Sequence, residues 1–72
     1  MKKVKKIKIK VNGKLRLVNE NLKIQDLMIN LKIPIKKVAI ELNQIILDKK
    51  KIGRIKLRKN DKIEIVHFIG GG

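Results

Sequence analysis

Lys6-Ile7-Lys8-Ile9-Lys10-Val11-Asn12-Gly13-Lys14-Leu15-Arg16-Leu17 decides the fold. Ile7, Ile9 and Val11 alternate with lysines, so a strand here has one apolar face and one cationic face. Asn12-Gly13 then tolerates the positive φ that both central positions of a type I′ turn require, the connection that suits an antiparallel hairpin. Leu15 and Leu17 resume the alternation against Lys14 and Arg16. The pattern predicts a two-stranded hairpin over roughly Val4 to Val18, wet on one face and needing cover on the other.

The cover comes next along the chain. After Asn19-Glu20-Asn21 the period changes, and Ile24, Leu27, Met28 and Leu31 fall at i, i+3, i+4 and i+7, one stripe of an α-helix. Two starts are open: Asn21 as the N-cap, or Asp26 reaching back to free amides near Lys23. Pro34 holds Ile33 extended and ends the helical possibility. From Val38 to Asn43 the alternation returns, with Val38, Ile40 and Leu42 on one side. Asn43-Gln44 is too short for anything but an antiparallel return into Ile45, Ile46 and Leu47. The charged run Asp48 to Lys51, Gly53, and the turn-rich Arg58 to Lys62 surround a brief apolar return at Ile55 and Leu57. Ile63, Ile65 and Phe68 form a final strand, whose mixed pattern predicts burial on both sides near its middle.

Two hairpin strands, a helix, a pair of short strands written as one element and a last strand give the order ββαββ. One helix across one face of a small mixed sheet is the α+β architecture of ubiquitin-like β-grasp domains, with the first and last strands side by side and parallel. The long passage between those strands makes the parallel pairing sterically possible. The predicted division is a β-grasp domain over 1–68 and a flexible tail over 69–72. That tail is Ile69-Gly70-Gly71-Gly72, and its three glycines leave backbone and a carboxylate as the only chemistry at hand. A strand through Ile65, Val66, Phe68 and Ile69 would pin the base of the tail with no polar spacer, presenting the carboxylate; the alternative reading is a frayed end without a role.

Composition narrows the functions. With 72 residues the chain builds one small domain, which buries only about 60% of its unfolded surface. It has no cysteine, so no disulfide or thiolate metal site forms, and its single histidine, His67, cannot build a metal cluster. No paired carboxylates, nucleophile or metal set marks an enzyme. The basic opening alternates with apolar residues and is read as neither a signal peptide nor a membrane span, so a cytoplasmic protein is expected.

The net charge of +14 invites a nucleic-acid or anionic-membrane reading. Its distribution argues otherwise. The basic residues are 17 lysines and three arginines (Arg16, Arg54 and Arg58) spread over every segment, and Phe68 is the only aromatic. Base readout relies heavily on arginine and single strands need stacking platforms, so the expectation is weak, non-specific polyanion binding.

The run Ile24-Gln25-Asp26-Leu27, the segment Val38-Ala39-Ile40-Glu41-Leu42-Asn43 and above all Ile63-Glu64-Ile65-Val66-His67-Phe68-Ile69-Gly70-Gly71-Gly72 resemble the ThiS family of thiamine-biosynthesis sulfur carriers. A double-glycine end alone is shared with ubiquitin and with the small subunit of molybdopterin synthase, whereas Val66-His67-Phe68-Ile69 is more specific. The chain departs from the family at Gln44 and Asn60, where glycine is frequent, and at Lys23, where threonine or serine commonly caps the helix.

The resemblance implies a carrier with no bound cofactor and no catalytic residue of its own. Gly72 would be adenylated by a ubiquitin-activating-like adenylyltransferase that uses ATP and magnesium. A cysteine desulfurase or rhodanese-type protein would supply the sulfur, and thiazole synthase would accept it from the resulting thiocarboxylate. Gly70 and Gly71 would present the tail, while Phe68, Ile69 and His67 are candidates for docking; for Phe68 core packing is equally open, and His67 is read as structural or docking instead of acid-base. Sulfur carriage for molybdopterin synthesis or tRNA thiolation is the alternative, and a small basic nucleic-acid-binding domain the more distant one.

Overall fold

A computed structural model describes residues 5 to 68; Val4 and the tail 69–72 of the expected division lie outside the described residues. β1 (Lys6–Val11) and β2 (Lys14–Asn19) form the hairpin. Its turn has φ of 50° at Asn12 and 83° at Gly13, the two positive values of a type I′ turn. The helix α1 (Ile24–Asn30) buries Ile24, Leu27 and Met28, with Leu31 at its C-cap partly buried. A single 3-10 turn (Ile35–Lys37) leads into β3 (Val38–Leu42), β4 (Ile45–Ile46) and, after a long connection, β5 (Lys62–His67). Counted strand by strand, the chain order is ββαβββ.

The sheet runs β2-β1-β5-β3-β4. β5 lies in the middle, parallel to β1 and antiparallel to β3, so the last strand to be made is the one gripped from both sides. The core draws Ile9, Val11, Val38, Ile40, Ile63 and Ile65 from the sheet, Ile24, Leu27 and Met28 from the helix, and Ile52 and Leu57 from the connection before β5. Ile7, which belongs to the same alternation as Ile9, is only partly buried near the end of the hairpin. Among the described residues no helix is long and apolar enough to cross a membrane.

Of the two helix starts expected from the sequence, the one with Asp26 in the first turn gives the N-cap position and Asn21 does not. That position is Lys23, which makes no side-chain capping hydrogen bond, while Asn21 sits in a turn at φ 68° and Asp26 lies within the first helical turn. The C-terminus is better provided. Lys32 N–H donates to the Ile29 carbonyl and Ile33 N–H to the Met28 carbonyl, each at 3.0 Å, the paired bonds of a Schellman motif. Lys32 itself takes the left-handed position at φ 58°, where glycine would be at ease.

Two other expectations are corrected. β5 is buried on one face only: Ile63 and Ile65 are buried while Glu64 and Val66 are exposed, because none of the described residues packs on the sheet face opposite the helix. Leu15 and Leu17 point to that same open face, 68% and 64% exposed. The two-residue turn pairs Val11 with Lys14, so Leu15 comes opposite Lys10, Leu17 opposite Lys8, and Val18, not a leucine, joins Ile7 on the helix side. Side chains directly opposite one another share a face, and one turn of this length therefore inverts the parity of the alternation.

Candidate functional site

The candidate site is the end of β5, the strand that precedes the tail to Gly72 in the sequence. Two asparagines, one from each hairpin turn, fix this strand along its length. Asn43, at φ 52° in the turn between β3 and β4, donates its backbone N–H to the Lys62 carbonyl at 2.8 Å and accepts the Lys62 N–H on its side-chain Oδ1 at 2.9 Å. Its Nδ2 donates to Asp61 Oδ1 at 3.0 Å, and Asp61 Oδ2 accepts the Arg58 N–H at 2.7 Å, closing the turn that feeds β5. Asn12, in the β1–β2 turn, accepts the Ile65 N–H at 2.7 Å on Oδ1 and donates Nδ2 to the Ile65 carbonyl at 3.3 Å.

Past Ile65 the strand pairs, among the described residues, with β3 and the residue before it. Val66 pairs with Ala39 and His67 with Val38, and the Phe68 N–H donates to the Lys37 carbonyl at 2.9 Å. Phe68 is not core: its ring is 58% exposed, with the Lys49 ammonium 4.9 Å from the ring centroid, within cation–π range. His67 is also exposed, and Val66 is 55% exposed. The structure thus brings His67 and Phe68 to the surface at the last described pairing of β5, next to where the tail begins. Ile69, Gly70, Gly71 and Gly72 lie outside the described residues.

Among the described residues no three His, Cys, Asp or Glu side chains gather where a metal could be held. What the described residues offer here is an exposed aromatic ring at the end of the central strand, one residue before the tail. Asn12 and Asn43 were legible only as turn residues; the added signal is that each stands in a two-residue turn beside the last strand, where a short amide side chain reaches backbone.

Residues 9–72 match the model of the ThiS family. The sulfur carrier protein ThiS of Bacillus subtilis is 37% identical over 65 residues, covering 89% of this chain and 98% of that protein. A thiazole synthase of Magnetococcus marinus is 35% identical over 66 residues, 92% of this chain, but the chain spans only 20% of that protein's length. The crystal structure of the thiamine biosynthesis protein ThiS from Geobacter metallireducens superposes with a TM-score of 0.81 at 30% identity, covering 92% of this chain and 100% of that one.

Proposed function

Since the chain belongs to the ThiS family, we propose that it works as a sulfur carrier for thiamine biosynthesis, loaded at the carboxylate of Gly72. The observation that carries this reading is the family match, which runs through the glycine tail to residue 72. The central position of β5 supports it, because a reactive chain end is useful only when its base is fixed.

A carboxylate is a poor electrophile. Attack of the Gly72 oxygen on the α-phosphate of ATP, in a ubiquitin-activating-like adenylyltransferase with magnesium, expels pyrophosphate and leaves an acyl adenylate. A persulfide carried by a cysteine desulfurase or rhodanese-type protein then attacks the acyl carbon and expels AMP. Cleavage of the S–S bond by a second thiol leaves the thiocarboxylate on Gly72 and a disulfide on the donor. Thiazole synthase takes the sulfur from there. Holding the sulfur on a protein places it at the acceptor at a high effective concentration.

Each part of this chain has a role in that scheme. Gly70 and Gly71 carry no Cβ and fit a channel too narrow for branched side chains. Three extended residues reach only ~10 Å, so the docking surface lies close to the catalytic pocket, and Phe68, His67 and Ile69 are the residues that fall there. A reconstituted mixture of thiazole synthase, adenylyltransferase, sulfur donor, ATP and this chain should form the thiazole, and omitting the chain should stop it. Sulfur transfer to a molybdopterin precursor or to tRNA, with no thiazole formed, would reassign the pathway.

A further inference from the structure

A cleft of about 610 Å³ opens at the pole of the sheet where β5 begins, lined by Leu42, Asn43 and Asp61 on one side and by the segment from Arg54 to Arg58 on the other. Lys56 in that segment forms an isolated antiparallel bridge with Lys23, and exposure alternates along it. Leu57 is buried and Ile55 partly buried against the core, while Arg54, Lys56 and Arg58 are exposed along the cleft. Leu42 and Ile55 give it an apolar floor.

The charge is one-sided. Three cations face one carboxylate, and both Asp61 oxygens already accept hydrogen bonds, from Asn43 Nδ2 and from the Arg58 backbone N–H. The choice of cation is also particular to this place. In a chain with 17 lysines and three arginines, two of the three arginines line this cleft. A guanidinium differs from an ammonium by presenting a planar fork that matches phosphate oxygens two at a time.

We infer that this cleft is a binding site for a small phosphorylated molecule, its phosphoryl group held by Arg54, Lys56 and Arg58 and its organic part laid on Leu42 and Ile55. The volume lies within the ~300 to 1,000 Å³ common for small-ligand sites. A nucleic-acid strand is the poorer fit, because no aromatic side chain lines the cleft on which bases could stack, and Phe68 stands at the other end of β5. Six strand residues separate the cleft from the point where the tail departs, a span of about 20 Å, so the ligand and a partner seated on the tail do not compete.

The experiment is an amide-resolved NMR titration of the full chain with AMP, ribose 5-phosphate and inorganic phosphate at fixed ionic strength. The organic phosphates should give saturable shifts confined to Leu42, Asn43, Ile55 and Lys56 and their neighbours, with inorganic phosphate weaker. R54K/R58K, which keeps the charge and alters only exposed positions, should bind about tenfold more weakly with an unchanged free spectrum. K8A/K10A, on the open sheet face, should bind as the parent does. Absence of saturable binding by all three compounds would overturn the inference. So would shifts that spread over β1 and β2 and ignore R54K/R58K, or a single-stranded oligonucleotide that occupies the cleft more tightly than the small phosphates.

Discussion

The side chain of Asn12 stands in for a strand residue beside Ile65, accepting its N–H at 2.7 Å and donating to its carbonyl at 3.3 Å. The parallel ladder between β1 and β5 is short, because β1 turns away after Val11; its backbone bonds here run from Lys10 N–H to the Asp61 carbonyl at 2.9 Å and from Asn12 N–H to the Ile63 carbonyl at 2.8 Å. The Asn12 amide supplies the next rung. It thereby holds β5 one step further toward the tail than the backbone of β1 reaches.

Asn12→Gly tests that rung without disturbing the turn, since glycine accepts the φ of 50° freely. Loss of two hydrogen bonds should cost about 1–2 kcal/mol in chemical denaturation. Amide exchange at Ile65 should accelerate more than at Ile40, its partner on β3. Equal exchange rates at Ile65 in the variant and the parent would show that the clamp does not hold the strand.

Lys32 and Gln44 sit at φ 58° and 72°, in a region that costs a side chain with a Cβ roughly 1 kcal/mol or more. Lys32→Gly at the helix C-terminus and Gln44→Gly in the β3–β4 turn should each stabilise the fold by about 1 kcal/mol, offset in part by the entropy of a freer unfolded chain. The two sites belong to separate elements, so the double variant should show nearly the sum. A loss of stability in either would mean that its side chain makes contacts that outweigh the backbone strain.

Much of this was legible in the chain itself, for reasons that can be named. The Asn12-Gly13 turn, the helical stripe from Ile24 and the return at Asn43-Gln44 are local signals, and each appears where local chemistry places it. Departures from the ThiS pattern at Gln44, Asn60 and Lys23 also carry physical meaning. The first two positions are left-handed, at φ 72° and 70°, and the third is an N-cap without a side-chain capping bond. What was not legible depends on partners distant in sequence. The facing of Leu15 and Leu17 follows from turn parity, the single-sided burial of β5 from which sheet face the helix covers, and the reach of Asn12 to a residue 53 positions away from the parallel pairing.

Phe68 separates docking from stability. With its ring 58% exposed, Phe68→Ala should change folding stability by less than about 1 kcal/mol. If the ring anchors the adenylyltransferase, the same variant should raise the KM for loading about tenfold, as expected of an aromatic at the centre of an interface. An unchanged KM would remove Phe68 from the docking surface.

The lysines make a prediction about salt. Their spread over β1, β2 and the open sheet face should give DNA or RNA binding that depends on phosphate count and not on sequence, and that vanishes by ~0.2 M salt through loss of counterion release. A sequence-specific complex that persists at ~0.2 M salt would assign the charge a dedicated nucleic-acid partner.

Intact mass of the chain after incubation with the adenylyltransferase, ATP, magnesium and a sulfur donor addresses the central claim most directly. The account predicts replacement of one Gly72 carboxylate oxygen by sulfur, dependent on ATP. Deleting Gly72, adding one residue after it, or making Gly71→Val should abolish the change while leaving the amide spectrum of β5 intact, because glycine has no side chain to place in a core and the core of the described residues is built from residues 9 to 65. Loading of the extended chain or of Gly71→Val at the parent's rate would contradict the account, since a terminal glycine threaded through a narrow channel could tolerate neither.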